Sequence, residues 1–286
     1  EVSSIFKKKD QLCRENYHPI SILTSLSKLF ESIYSVQISD FFCNIFSPFL
    51  SAYRKGYGCN DVLLKFLYEF SKALDENLHT GAILMDLSKA FDCLPHCLLI
   101  AKLYAYGFSE PACVLIASYL SNRTQRGKMG NARSSWLELR KGVPQGSILG
   151  PVLFNIFIND LFYAVQDCTL LNYADDNTLF SSNSDKQSLI NSLQTDSEIA
   201  VKWFKDNAMQ ANPSKFQAIY SHRNFPKSET VDFTIASQNI VSCSSVSLLG
   251  VQFDRDLNFD EHISKLCSNA SKQLNVLIRF SHILGT

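Results

Sequence analysis

The stretch from residue 170 to residue 180, LLNYADDNTLF, constrains this chain most tightly. Leu170, Leu171, Tyr173 and Ala174 suit a half-buried strand, as do Thr178, Leu179 and Phe180. Asp175, Asp176 and Asn177 between them are turn formers, which predicts a hairpin with carboxylates at its tip. Adjacent like charges beside a core raise each other's pKa and work against the fold. A bound cation relieves that conflict, and hard carboxylate oxygens suit magnesium or manganese. The plainer alternative is a solvated, aspartate-rich turn.

The 286 residues are 46% hydrophobic and 19% charged, enough apolar material for one large domain or two lobes. The formal net charge is zero, so attraction to nucleic acid has to come from local patches. Nine cysteines, an odd number without any Cys-x-x-Cys pair, point to a reduced intracellular compartment. Cys93, His96 and Cys97 make a zinc-like cluster that lacks a second pair at ligand spacing, so ordinary packing is the simpler reading. No apolar run approaches the ~20 residues of a membrane span. A signal peptide and an initiator methionine are both missing, and the chain reads as a piece of a longer one.

Lys7, Lys8 and Lys9 form a solvated face or a phosphate contact. Apolar residues from Leu23 to Ile38 recur at helical spacing. The segment YRKGYGCN, Tyr53 to Asn60, is either a loop that meets phosphates or a surface turn. A helix then starts at Asp61, read as its N-cap, and runs to about Glu76. In GAILMDLSKAFD, residues 81–92, a buried strand ends at Asp86, where open sheets place their chemistry. Between Ser121 and Lys141, six basic residues face one acid, Glu138, with glycines between them. This predicts an exposed two-stranded ribbon able to touch a phosphate backbone, or a solvated hairpin. GVPQGSILGP, residues 142–151, is a stiff Gly/Pro loop leading into an apolar helix, with Gln145 inside the glycine bracket. A long amphipathic helix follows from Asp185 to about Lys205, then strand-like segments at 216–220, 231–235 and 247–253, and a last helix from about Asp260 to Ile283.

In order, ILMDLSKAFD, GVPQGSILGP, YADD, NPSK and LLGV resemble the reverse transcriptase domain of jockey-like non-LTR retrotransposons, from NYHPIS at Asn16 to the end of the chain. The resemblance implies an α+β right-hand polymerase, with an antiparallel-sheet palm backed by helices, partial fingers and a truncated thumb. It divides the chain into partial fingers (1–78), a palm with inserted fingers elements and the catalytic site (79–242), and primer-grip strands with the start of the thumb (243–286).

By the same resemblance, Asp86, Asp175 and Asp176 are the catalytic carboxylates. With the Leu87 carbonyl they would hold two magnesium ions, or manganese, while a primer 3′-hydroxyl attacks the α-phosphorus of a deoxynucleoside triphosphate. Phe91 resembles the sugar gate, with a core phenylalanine as the alternative. Gln145 and Gly146 resemble the loop on the nucleotide and template base. Lys215 falls where a lysine is held to protonate pyrophosphate. Leu249 and Gly250 resemble the primer grip, and Arg54 or Lys55 a triphosphate contact. Implied partners are an RNA template, a DNA primer, deoxynucleotides, and the endonuclease and thumb of a longer polyprotein, acting in the nucleus.

Two departures stand out. His18 replaces the family's usual arginine, a poorer triphosphate partner. Gln210 occupies a position that is usually apolar. Both fit the competing expectation of a decayed copy that keeps the palm and at most binds nucleic acid. An RNA-dependent RNA polymerase would share the carboxylates, but Phe91 and the GVPQGS loop argue against it.

Overall fold

A computed structural model describes residues 1–6, 17–88, 90–226 and 228–284. The lysine run Lys7 to Lys9 lies outside these residues, as does the side chain of His18.

The chain opens with β1 (Val2–Phe6) and β2 (Tyr17–Ser21), paired antiparallel. Helix α1 (Ser25–Phe42) is capped by Thr24, whose hydroxyl accepts from Ser27 N. Its apolar residues do not all turn inward: Ile38 and Phe42 are buried, whereas Leu26, Leu29, Ile33 and Val36 are exposed. Helix α2 (Cys59–Asp75) begins two residues before Asp61. Gly58 is its N-cap, and the Asp61 carboxylate reaches back to Gly58 N at 2.6 Å. Asp61 thus works from the third helical position, as the acid of a capping box does.

Strand β3 (His79–Met85) is buried from Thr80 onward. After it come β4 (Leu87–Ser88), α3 (Ala90–Cys93), α4 (His96–Ala105) and α5 (Glu110–Leu120), the last started by Pro111. The basic ribbon is four short strands, β5 (Thr124–Gln125), β6 (Gly127–Met129), β7 (Ala132–Arg133) and β8 (Leu137–Glu138). Strand β6 joins the N-terminal pair by lying parallel to β1. Helix α6 (Leu149–Ile158) is buried on every side, as expected of a segment apolar all round.

Helix α7 (Leu161–Ala164) leads to β9 (Thr169–Tyr173) and β10 (Asp176–Asn183). Helix α8 (Lys186–Asp206) is capped by Asp185, which accepts from Ser188 N at 2.7 Å. Then come β11 (Gln210–Ala211), β12 (Gln217–Ser221), β13 (Asp232–Ile235), β14 (Gln238–Cys243), β15 (Ser245–Leu248), β16 (Val251–Asp254) and α9 (Asp260–Leu284).

The central sheet has the order β13-β14-β12-β3-β10-β9 and is antiparallel except between β12 and β14. Both faces are covered, so β3 reads as an unbroken apolar run rather than an alternation. Ile83 and Met85 point into a core with α6 and α8, while Ala82 and Leu84 point into a second core with Val62, Phe66 and Phe70 of α2. The β15–β16 hairpin packs onto this second core through Val246, Leu248 and Phe253.

Candidate active site

Register builds the site. The β3–β10 ladder ends at Met85 opposite Asn177, so the next step sets Asp86 beside Asp176. The β3–β12 ladder pairs Leu84 with Gln217, and its extension sets Lys215 on the other side of Asp86. The Lys215 ammonium lies 3.2 Å from the Asp86 carboxylate. The NPSK turn is tied to the same point, since Asn212 N donates to Asp86 O at 3.1 Å. Asp86, Asp176, Lys215, Leu248 and Leu249 line one cleft of about 350 Å³.

The β9–β10 turn is tighter than the three polar residues imply. Tyr173 pairs with Asp176, so only Ala174 and Asp175 form the loop. Ala174 has φ +56°, a conformation that costs an L-residue about 1–2 kcal/mol. Asn177 is a buried strand residue, not a turn residue. Its amide donates to Asp175 O at 3.1 Å, and Asn172 donates to Ala174 O at 2.8 Å and to Asn177 Oδ1 at 2.9 Å. Two buried asparagines hold the strained turn from beneath.

Asp176 reaches solvent, yet its carboxyl is pushed up to about 6, first by partial burial and then by Asp175 and Asp86. That repulsion fits a cation between hard oxygen donors. Among the described residues, no three His, Cys, Asp or Glu side chains stand at metal-ligating spacing. This covers Cys93, His96 and Cys97 as well; His96 instead meets Gly142 O at 2.8 Å.

The remaining candidates fall into three groups. Leu87 is buried beside the cleft and pairs with Ala211; Gln210 pairs with Ser88 in the same short ladder and is exposed. Leu249 and Gly250 form the two-residue β15–β16 turn at φ +47° and +85°, so the strand expected over 247–253 is two strands with this turn inside it.

Phe91 is half-buried and stacks on Phe154 of α6 at 4.5 Å between centroids. The GVPQGS loop is laced to the same segment: Gly142 N donates to Leu94 O at 2.7 Å and Val143 N to Phe91 O at 2.9 Å. Gly142 has φ +80°, and a Cβ there would fall 2.7 Å from Asp92 O. Gln145 donates to Asp92 at 3.2 Å, and its carbonyl accepts from Ser21 N at 2.8 Å. It lines a neighbouring cleft with the basic ribbon, not the carboxylate cleft, and Gly146 stands beside it at φ +97°.

Arg54 braces its own loop. Its guanidinium donates to the carbonyls of Ser47 (2.7 Å), Leu50 (2.8 Å) and Cys43 (3.4 Å) and lies on the Tyr57 ring. Five-donor geometry suits this bracing of an irregular loop. Lys55 is exposed. The ribbon is also less free in charge than its composition: Arg126 and Arg133 pair with Glu1, and Arg140 with Glu138.

Sequence reasoning missed Tyr53, which the same loop brings to the turn. Its hydroxyl is held above the ordinary tyrosine range, first by burial, then by Asp175 and Tyr173. An exposed aromatic in a Gly-containing loop carried no periodic signal.

The reverse transcriptase (RNA-dependent DNA polymerase) family matches residues 6–253. The "Probable RNA-directed DNA polymerase from transposon BS" of Drosophila melanogaster is 28% identical over 92% of this chain and 30% of its own length. The RNA-directed DNA polymerase from mobile element jockey of Drosophila funebris is 29% identical over 90% of this chain and 29% of its own. The chain therefore spans about 30% of these relatives' length. Apo telomerase of Candida tropicalis, truncated from its C-terminal domain, shares the fold over 86% of this chain and 52% of its own, with a TM-score of 0.55 at 14% identity. The order of elements, the carboxylates at the sheet end and these matches agree: the chain belongs to the reverse transcriptase (RNA-dependent DNA polymerase) family.

Proposed function

We propose that this chain is the polymerase module of a jockey-like non-LTR retrotransposon, extending a DNA primer on an RNA template. The observation that carries this reading is the register that sets Asp86 between Asp176 and Lys215, in a cleft shared with the Leu248–Leu249 turn. Asp86, Asp175, Asp176 and the Leu87 carbonyl are the groups that would hold two divalent ions, magnesium or manganese, whose chemistry is charge neutralisation at the attacking and leaving oxygens.

The residues of the chain bind and orient. The primer 3′-hydroxyl gives up its proton to solvent as its oxygen forms the new bond to the α-phosphorus, the bond from that phosphorus to the β-phosphate oxygen breaks, and pyrophosphate departs. Lys215, whose ammonium lies 3.2 Å from Asp86, would meet that departing charge and release a proton to it. Phe91 walls the sugar, Leu249 and Gly250 hold the primer end, and Gln145 and Gly146 meet the templating pair from the adjacent cleft. On this reading residues 1–78 serve as partial fingers, 79–242 as palm and 243–286 as primer grip and thumb start, working in the nucleus with the rest of a longer polyprotein.

The departures at His18 and Gln210 favour a second reading, a decayed palm that at most binds nucleic acid. Primer extension on an RNA template with magnesium and deoxynucleotides separates the two. Extension by the parent and none by Asp175→Asn supports the polymerase. Salt-sensitive binding without nucleotide addition by a folded parent supports the decayed copy.

A further inference from the structure

The loop at residues 47–57 is pinned far more firmly than a surface turn needs. Ser51 N donates to Asn172 O at 3.1 Å, and Asn172 N to Phe49 O at 3.0 Å. From α6, Asn155 donates to Ala52 O at 2.7 Å, while Asn159 accepts from Ser47 N at 2.8 Å. Arg54 braces three more carbonyls. All of this presents one side chain, Tyr53, whose backbone sits at φ +58°. A bulky L-residue rarely adopts that conformation, and the surrounding bonds over-determine it. Tyr53 is 52% exposed, so core packing does not explain the strained backbone. It meets Phe91 at 6.1 Å between centroids with an interplanar angle of 85°. Phe91 is thereby held by two rings, stacked on Phe154 and crossed by Tyr53. Tyr53 also lies close enough to the carboxylate turn to feel the charge of Asp175.

We propose that Tyr53 is a positioning residue for deoxynucleotide selection, its ring fixing the Phe91 plane that excludes a ribose 2′-hydroxyl from the incoming nucleotide. The inference rests on the polymerase reading and on Phe91 as the sugar wall. A side chain free to rotate gives a soft wall; one crossed by a second ring gives a hard one. The hydroxyl is not required, so the ring alone carries the effect.

The test is single-nucleotide extension by the 286-residue chain on an RNA template, with matched deoxy- and ribonucleoside triphosphates. Tyr53→Ala is expected to lower the ratio of the two kcat/KM values by about two- to tenfold, which is what one aromatic pair is worth. Tyr53→Phe and Tyr53→Trp keep the ratio within about twofold on the same grounds. Phe91→Ala with Tyr53→Ala falls no further than Phe91→Ala alone, because the two act as a unit. Equal loss for both nucleotides, or independent losses in the double variant, overturns the proposal. A parent that extends no primer sinks the polymerase reading separately. Equilibrium dialysis of dATP and ATP with manganese then takes over. A sugar preference in the parent that Tyr53→Ala removes supports the proposal, and the same behaviour in both proteins, or no nucleotide bound by the parent, overturns it.

Discussion

The chain carries acids of two kinds, and the contrast between them is instructive. Glu31 and Asp196 are fully buried. Glu31 accepts from Ile148 N at 2.6 Å and Leu149 N at 3.2 Å, at the start of α6, and from the Ser27 hydroxyl at 2.9 Å. Asp196 accepts from the backbone N–H groups of Gln166, Asp167 and Cys168, the last at 2.6 Å. Such charges stand in for missing backbone acceptors and hold loops to helices. Asp86, Asp175 and Asp176 sit together at a sheet end with more access to water and fewer donors. Asp86 has an ammonium beside it, and Asp176 has two like charges. An acid surrounded by N–H groups is structural; acids that repel one another keep a conflict that a cation would relieve.

The sharpest way to break this contrast is to neutralise one member of each class. Asp86→Asn is expected to reduce primer extension by at least about a thousandfold, as loss of a main electrostatic partner of the transition state does. Its melting temperature should stay near the parent's. Asp196→Ala should do the reverse in a urea melt, losing about 3 kcal/mol of stability because three backbone N–H groups lose a buried, charged acceptor. If Asp196→Ala melts like the parent, the structural half of the contrast fails.

Gly142→Ala tests whether the GVPQGS loop is held by its close approach to Asp92. The added carbon has no room and the φ is wrong, so a loss of about 2 kcal/mol is expected by the same denaturant melt. The Asp176 carboxyl makes a smaller and signed effect. Its folded pKa is about 6, against about 4 in the unfolded chain, so the folded state binds more protons between those values. Its contribution to stability is present in full below about pH 4 and is lost as pH rises through about 6. Melts of the metal-free protein should show that slope, and Asp176→Asn should flatten it. Least of all, Lys215→Met should change stability by under about 1 kcal/mol, since both partners of the ion pair reach solvent.

Much of this was legible because it is local. The apolar run before Asp86 and the amphipathic spacing from Asp185 to about Lys205 each act within a few residues. The motif order brought the carboxylates to one place by resemblance, and the ladders β3–β10 and β3–β12 show how. What escaped depends on distant partners. Asn177 looks like a turn residue until Asn172 is set beneath it. Strand β14, QNIVSC, buries only Ile240 and Ser242, too faint an alternation to read without β12 alongside. Arg54 resembles a phosphate ligand because a chain of letters does not show three carbonyls converging on it.

Asn172 faces two ways. Its backbone is knitted to the 47–57 loop through Phe49 and Ser51, and its side chain props the Ala174–Asp175 turn. One residue therefore works as a rivet between the 47–57 loop and the hairpin that bears the acids. A displacement of that loop would reach the carboxylate turn through one side chain, the Asn172 amide. The order of the 47–57 loop and the alignment of the acids therefore share one support, and a side-chain change at residue 172 would loosen the turn while leaving the backbone bonds to the loop in place.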